Sequence, residues 1–521
     1  MEKCKLFLLL FLTPYILCAQ FSGSGTGTLN DPYLITSAEE LFEVRNELGG
    51  HYKLTNDIDL TNWIQEDSPT QGWSPIGNAQ SPFTGTFDGS SHSIKGLYIN
   101  RNTDNCGLFG YTNGATIKNT AIIAPAITGA NNVGCITGYV SGETVIKNNI
   151  VIKGSVTGKN NVGGIAGYNC APQITKSGDK THVSIAGNYS SSSITATEGC
   201  GGGIIGFAIG SSYMQSVYNT YFHYLCIDNN AFYGEVSATQ QAGGIAGKAD
   251  IAELCRNICK GNVNGENTVN GICYRLSGSN VGSIDKNVFC GNSLSSKGTD
   301  IHRISNNATV NNYAYNGTII SSNGKAITVE DNESHGIAHG LNALRKQTTY
   351  EGLDFDFTES WSIVNGETFP YMITQSTPIK APSFTAGSKG VISGTASGNG
   401  KVYVIRGNAV YEAPIVDNSW SVQLGNVTGG ETVDVCVHYE GKQPSTATTV
   451  TAEEVHVAPT TNSGDANGDG TVDTADVVAI VNCILGKESP SFVKGNADVN
   501  KDGEVLIDDA VLTVQMILDA Q

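Results

Sequence analysis

The sequence predicts a mainly β protein in three parts: a right-handed parallel β-helix, a β-sandwich and a small α-helical module. Three observations carry this reading. The segment around 117–139 recurs almost intact 29 residues later. A stretch after residue 378 alternates apolar and polar residues between Gly and Asn turns. The last part of the chain holds two acidic twelve-residue loops, each leading into an apolar run of helical length. Composition agrees. Glycine is 63 of 521 residues and charged residues are 15%, against usual shares of about 7% and about 25%. That excludes a coiled coil and a charged disordered tail. Acids outnumber bases 48 to 30, a net charge of −18, which argues against nucleic-acid binding, since phosphate contacts need clustered Lys and Arg.

Residues 1–19 read as a secretory signal peptide. Lys3 and Lys5 precede an apolar run that closes on the small residue Ala19, the pattern of a cleaved export signal. The expected mature chain is secreted, extracellular or at the cell surface, and no later stretch is apolar enough to span a bilayer.

The repeat is the strongest signal. Ile117-Lys118-Asn119 matches Ile146-Lys147-Asn148, and Asn131-Asn132-Val133-Gly134 matches Asn160-Asn161-Val162-Gly163. Looser copies end at Gly110, Gly206 and Gly247, and a decayed one is Asn270-Gly271-Ile272-Cys273. A fixed period of this length means a solenoid or array. Short β-branched pieces between Gly and Asn predict strands, about three per coil, stacked so that each finds partners above and below. Right-handed crossovers are the rule for such connections. Longer spacings before Gly206 and Gly247 predict loops that bulge from those coils. Asn119, Asn148, Asn188, Asn219, Asn257 and Asn287 recur and are expected to form turns or a stacked ladder. Thirteen cysteines, less Cys4 and Cys18 in the signal, leave eleven. Cys135 precedes Ile136, Cys255 aligns with Ile117 and Ile146, and Cys259 with Ala121 and Ile150. Such residues read as small buried hydrophobes or as bridges between adjacent coils.

These coils resemble the GLUG-motif family, named for segments such as Gly107-Leu108-Phe109-Gly110. Upstream, Gly25-Thr26-Gly27-Thr28, Asp31-Pro32-Tyr33-Leu34-Ile35, Trp73-Ser74-Pro75-Ile76-Gly77 and Phe83-Thr84-Gly85-Thr86-Phe87 look like its N-terminal cap. Downstream, Gly352-Leu353-Asp354-Phe355, Trp361 and Phe369-Pro370-Tyr371 look like its closing segment. The resemblance implies a cap over 20–100 and coils with a C-terminal cap over 101–375. Within the cap, Ser37-Ala38-Glu39-Glu40 is a capping box that opens a helix to about Leu48, placed to cover the open end of the first coil. Residues 378–456 look like a bacterial immunoglobulin-like β-sandwich, expected to serve as a rigid spacer before the linker Ala458–Gly464.

The tail carries the most specific chemistry. Asp465, Asn467, Asp469, Asp473 and Asp476 fall at positions 1, 3, 5, 9 and 12 of a loop with Gly470 at the turn. That oxygen-rich spacing suits Ca2+, with Thr471 giving its carbonyl. A second loop starts 33 residues later, with Asp498, Asn500, Asp502, the Glu504 carbonyl and Asp509. Leu506 occupies its position 9, so that site is expected to be weaker. Each loop precedes an apolar helix, Val477–Leu485 and Ala510–Leu518. Asp closes both loops, unlike the EF-hand, and the pair resembles a type I dockerin over 464–521. The resemblance implies a cohesin-type partner, contacted near Thr474-Ala475 and Ile507-Asp508. Those pairs differ, which weighs against two equivalent docking modes.

For the β-helix the sequence favours non-catalytic binding or adhesion, with a glycan or surface ligand. The alternative is a polysaccharide-degrading lyase or glycoside hydrolase. Between residues 100 and 310 only Asp250 and Glu253, among eleven acids, lie within three positions, whereas glycoside hydrolysis wants a carboxylate pair. Asp57, Asp59, Asp88 and His92 cluster in the cap and read as structural. His335 and His339 have helical spacing near Glu330 and Glu333 but lack the H-E-x-x-H order of a zinc protease. No G-x-S-x-G or G-K-[ST] motif is present. No catalytic residue can be assigned.

Overall fold

The computed structural model describes residues 21–171, 183–216, 219–223, 225–276, 282–308, 311–453 and 463–520. The signal peptide and most of the 458–464 linker lie outside the described residues. The chain divides into two compact units. The first holds residues up to 383 with 392–423 and 432–451; the second holds 384–391, 424–431 and 452–521.

In the first unit the chain visits five sheets in rotation and returns to each one strand further along, so that successive turns stack with parallel pairing. One turn runs Thr116–Lys118, Ala121–Ile123, Ala126–Thr128, Asn131–Gly134 and Thr137–Ser141 before re-entering the first sheet at Val145–Lys147. Each turn therefore has five short strands, not the three expected. A single left-handed residue suffices as a corner: Asn119 has φ +54° and Ala124 φ +47°, so strands of three residues leave room for more corners per turn. The register follows the 29-residue offset, with Asn131 beside Asn160 and Thr137 beside Ala166. In that turn Ile117, Ile122, Ile127, Val133 and Val140, one from each strand, join a single core. Ile136 and Ile165 are both fully buried in the same core on successive turns, and the Ile136 N–H donates to the Ile165 carbonyl at 3.0 Å.

The repeat glycines have a steric cause. A Cβ on Gly163 would lie 2.1 Å from the Ala166 carbonyl oxygen and 2.7 Å from the Gly206 nitrogen of the next turn. Gly134, Gly202 and Gly243 stack in the same column. No side chain fits where one turn's backbone presses on the next.

Asparagine takes both expected roles, but at two adjacent positions. Asn119 and Asn148 are left-handed corners. The buried ladder is the residue after each corner: Asn149, Asn188, Asn230, Asn257, Asn287 and Asn312, all at most 1% exposed. Each Oδ1 accepts the main-chain N–H of the ladder residue one turn earlier, at 2.9–3.1 Å. Asn219 belongs instead to the hairpin Ser211–Ser216/Asn219–His223. That hairpin is the expected bulge before Gly247; the insertion before Gly206 falls at 172–182, outside the described residues.

The same one-residue shift corrects two cysteines. Leu254, not Cys255, fills the inward slot of Ile117 and Ile146 through Ile185 and Ile227, and Cys255 follows it on the outer side. Cys259 stands in register with Val151 and Ile122 through Phe232, one place from the expected column. All eleven described cysteines are unpaired and seven are buried.

At the front end the helix Ala38–Glu43 continues as a 3-10 turn, Val44–Asn46, shorter than expected. Ser37 Oγ accepts the Glu40 N–H at 3.3 Å, but Glu40 turns back to Thr36 rather than completing the box. Leu41 and Val44 are fully buried against the coil core.

One sheet is apolar on both faces. Its strands Ala121–Ile123 and Ile150–Ile152 are buried at every residue, the pattern of a covered parallel sheet. Ile122 and Val151 face the core, while Ile123, Ile152, Tyr189, Ile258 and Val288 join an outer cluster with Leu344, Tyr350, Leu353, Phe355, Trp361 and Phe369. The expected closing segment thus returns along the flank of the coils. Trp361 Nε1 donates to Asn229 Oδ1 at 2.8 Å, and the Tyr233 hydroxyl donates to the Pro370 carbonyl at 2.6 Å. The antiparallel sheet Ala409–Pro414, Gly400–Arg406, Thr432–Tyr439, Thr448–Thr451 adds Tyr403, Ile405 and Cys436 to the same outer cluster. It belongs with the coils rather than standing clear as a spacer. Strands Ser383–Thr385, Gly387–Thr395 and Ser419–Val427 form a three-stranded sheet.

In the second unit the helices Thr474–Ile484 and Ile507–Asp519 each start three residues earlier than expected, inside the ends of the acidic loops, and a short helix Lys494–Ala497 lies between them.

Candidate functional site

The two acidic loops are wired alike. In the first, Asp465 accepts the N–H of Asp469 and of Gly470, each at 3.0 Å, while Asp476 reaches back to accept from Asn467 at 3.0 Å and Asp473 at 2.9 Å. Thirty-three residues later Asp498 accepts from Asp502 and Gly503, and Asp509 from Asn500 and Leu506. Gly470 and Gly503 adopt φ +89° and +94° at the turn, where a side chain would be strained. Asp476 and Asp509 are fully buried, and among the described residues neither forms an ion pair with Lys or Arg. The Thr471 hydroxyl and amide and the Asn467 side-chain amide donate to Asp469 and hold its carboxyl below the usual range.

Position 9 separates the loops. Asp473 caps its helix by accepting the Ala475 N–H at 2.7 Å; Leu506 has no side-chain acceptor and is exposed. Among the described residues no three His, Cys, Asp or Glu side chains converge as a ready set of metal ligands. The loop carboxylates are turned onto main-chain N–H groups instead.

The helices after the loops bury little. Asp509, Ala510 and Thr513 face inward on Ile507–Asp519, and the tail core rests on Ala466, Ile480, Ala497 and Ala510. The large apolar residues face out: Ile507 is 65% exposed, Val511 63%, Val514 41% and Leu518 58%. Their spacing of 4, 3 and 4 is a single stripe on a helix. The same offsets on the first helix give Thr474, Val478, Val481 and Leu485, with Val478 and Leu485 exposed. Thr474, Ala475, Ile507 and Asp508, read as partner contacts, are all exposed. The rest of the stripe was missed, although its spacing is visible in the sequence.

Residues 463–518 match the Dockerin type I domain family. The tail is a type I dockerin. Outside the dockerin the likenesses are partial. A protein of Evansella cellulosilytica, provisionally named a Gly-rich membrane protein, is 40% identical over 131 residues, 22% of this chain and 15% of that protein. Halomucin of Haloquadratum walsbyi is 34% identical over 129 residues, 23% of this chain and 1% of that protein. The chain thus spans a small fraction of the curated relatives it matches. A crystal structure from Bacteroides ovatus, provisionally described as an immunoglobulin A1 protease, superposes with a TM-score of 0.42 at 20% identity, covering 67% of this chain and 94% of that one. No helix among the described residues is long and apolar enough to cross a membrane.

The other candidates do not assemble as catalytic groups. Asp250 and Glu253 lie on different sheets. His335 and His339 are in a turn and a short strand, not a helix: the His335 ring is 5.5 Å from that of His302, and His339 packs 4.3 Å from Tyr313. The cap acids instead build an ion network. Asp57 meets Lys401 at 2.8 Å, Lys401 meets Glu412 at 3.0 Å, and Lys95 bridges Glu412 to Asp59. Burial pushes Asp57 up, but hydrogen bonds from His92, Lys401 and the Ser93 amide outweigh it and hold the carboxyl well below the usual range. Asp88 accepts from Asn119 and pairs with Lys118 at 3.0 Å.

Proposed function

We propose that this is an exported, non-catalytic binding protein: a right-handed parallel β-helix that holds a glycan or surface ligand, an immunoglobulin-like β-sandwich against it, and a calcium-loaded dockerin that joins a cohesin-bearing partner. The observation that carries the docking half is the outward stripe Ile507, Val511, Val514 and Leu518. A helix that turns its large apolar side chains to water and its small ones to the core is built to meet another surface.

The loops fit Ca2+ by donor chemistry. Asp465, Asn467, Asp469, Asp473, Asp476 and the Thr471 carbonyl would hold one ion; Asp498, Asn500, Asp502, Asp509 and the Glu504 carbonyl would hold the second. All donors are hard oxygens, and among the described residues the buried Asp476 and Asp509 carboxylates pair with no Lys or Arg. Bound calcium supplies the positive charge that a tail of nine Asp, two Glu and three Lys lacks, so that ion binding and folding are one process.

The sparse, separated carboxylates of the coils support binding over hydrolysis. The test is titration of the full chain with a panel of cohesin modules, with calcium and with chelator, beside a Val511→Asp/Leu518→Asp variant. Calcium-dependent binding lost in the variant supports the reading. Cohesin binding unaffected by both chelator and variant overturns it. Release of reducing or unsaturated ends from a polysaccharide panel, abolished by one acidic substitution, would move the coils to the enzyme class.

A further inference from the structure

The covered flank of the coils contains a lysine where its column is otherwise apolar or hydroxyl-bearing. Counting from the paired strands, the outer slot is Ile123, Ile152, Ser191, Tyr233, Lys260 and Cys290 on successive turns. Lys260 meets no carboxylate within ion-pair distance among the described residues. Its ammonium stands over the rings of Tyr233 at 5.3 Å and Phe369 at 4.9 Å. Arg345 reaches the Phe369 ring from the closing segment at 5.6 Å, and its Nε is buried with no hydrogen-bond partner. Both side chains line a cavity of about 520 Å³, with Lys153 and Lys380 also in its wall. Glu367 is the one acid in the lining, and it is exposed. Asp434, which holds Lys153 at 2.9 Å, also accepts the Thr449 hydroxyl. Lys260 is itself exposed, so its ammonium is reachable from solvent.

Asp434 neutralises Lys153, which leaves Lys260, Arg345 and Lys380 around the cavity with the exposed Glu367 as the acid of its lining, and like charges gathered in this way repel one another. The remaining lining supplies hydroxyls, among them Ser191, Thr368, Thr446 and Thr448. The volume lies in the range of small-molecule sites.

We propose that this cavity is a binding site for an acidic sugar residue of a glycan, its carboxylate or sulfate held between Lys260 and Arg345 and its hydroxyls met by the Ser and Thr lining. This deepens the binding role proposed above and rests on it. The cations choose an anion; the hydroxyl-rich wall chooses a saccharide over an acidic peptide.

The test is calorimetric titration of the calcium-loaded full chain with four probes: a glucuronate-containing tetrasaccharide, a sulfated tetrasaccharide, neutral cellotetraose and hexaglutamate. One or both acidic saccharides are expected to bind at least tenfold more tightly than cellotetraose and hexaglutamate, with affinity falling as salt rises. Carboxylated against sulfated probe identifies the anion. Lys260→Gln is expected to weaken that binding at least tenfold. Lys260→Met, which restores the apolar column, is expected to do the same while keeping or raising the melting temperature, which separates lost binding from lost folding. Cellotetraose binding that Lys260→Gln leaves unchanged, without preference for acid, overturns this site but leaves the general binding role standing. Hexaglutamate binding as tightly as the saccharides overturns the choice of a glycan. Binding of none of the four overturns the site.

Discussion

Asn230 Oδ1 accepts both the main-chain N–H of Asn188, at 3.0 Å, and its side-chain Nδ2, at 3.1 Å, although the two residues lie 42 positions apart. Asn230 Nδ2 in turn donates to the carbonyls of Ile185 and Asp228. One side chain therefore satisfies buried polar groups on two turns. Asn230→Ala is expected to cost about 2–4 kcal/mol, since buried donors and acceptors are left unmet, and to lower the urea midpoint of the coils. Asn148→Ala, at a half-buried left-handed corner, should cost less than Asn230→Ala. Equal losses would show that the ladder is not the stabilising element.

Ile165 lies in the core beside Ile136 of the preceding turn. Ile165→Asp places an unpaired charge where no water reaches, and the expected loss exceeds about 4 kcal/mol. Thermal melting followed by circular dichroism checks this. A melting temperature equal to wild type would contradict the burial.

The loops differ by one oxygen. Asp473 can offer a carboxylate at position 9 where Leu506 cannot, so the first loop should bind calcium more tightly and Asp465→Ala should remove more total affinity than Asp498→Ala. Calorimetry on the full chain measures both. Limited proteolysis with and without chelator checks the linked claim, that 463–520 resists cleavage only when calcium is bound.

Burial, with His302 and Arg303 nearby, lowers the His335 pKa to about 4. Its Nδ1 accepts the Arg303 N–H at 3.3 Å, which requires the unprotonated ring nitrogen. An unfolded histidine titrates near pH 6.5, so between pH 6.5 and 4 the unfolded chain binds more protons than the folded one. Stability should fall as pH drops through that window. His335→Asn should flatten that part of the curve in a pH series of denaturant midpoints; an unchanged slope would remove His335 as its source.

Much of this was legible because stacking repeats itself. The 29-residue offset gave the register, and loop spacing gave the tail. Asn188, Asn257 and Asn287 of the expected set do stand in the ladder, but Asn148 was taken with them in place of Asn149 because the two are adjacent and of one type. Corners where the pair is not Asn-Asn, such as Gly187-Asn188, Arg256-Asn257 and Lys286-Asn287, reveal which position turns left-handed and which points inward, and a one-residue error exchanges the faces of a strand. Leu254 and Cys255 were exchanged for the same reason. The doubly buried strands did announce a covered sheet in Ala121-Ile122-Ile123 and Ile150-Val151-Ile152. What covers them lies some 200–280 residues downstream, and no local pattern links Ile152 to Phe369 or Tyr403. Lys260 stood out only after its column was known to be Ile123, Ile152 and Cys290.

The covered flank also sets an order of events. A chain threaded outward from its N-terminus can stack each turn as it emerges, since every turn rests on the one already made. Its outer apolar residues Ile123, Ile152, Tyr189, Ile258 and Val288 must wait for residues 344–372 and 400–451. Throughout that interval a finished stack carries a sticky side, open to a neighbouring nascent copy. A chain stopped near residue 340 should therefore form its turns and then self-associate, and supplying 341–453 as a separate polypeptide should return it to single molecules.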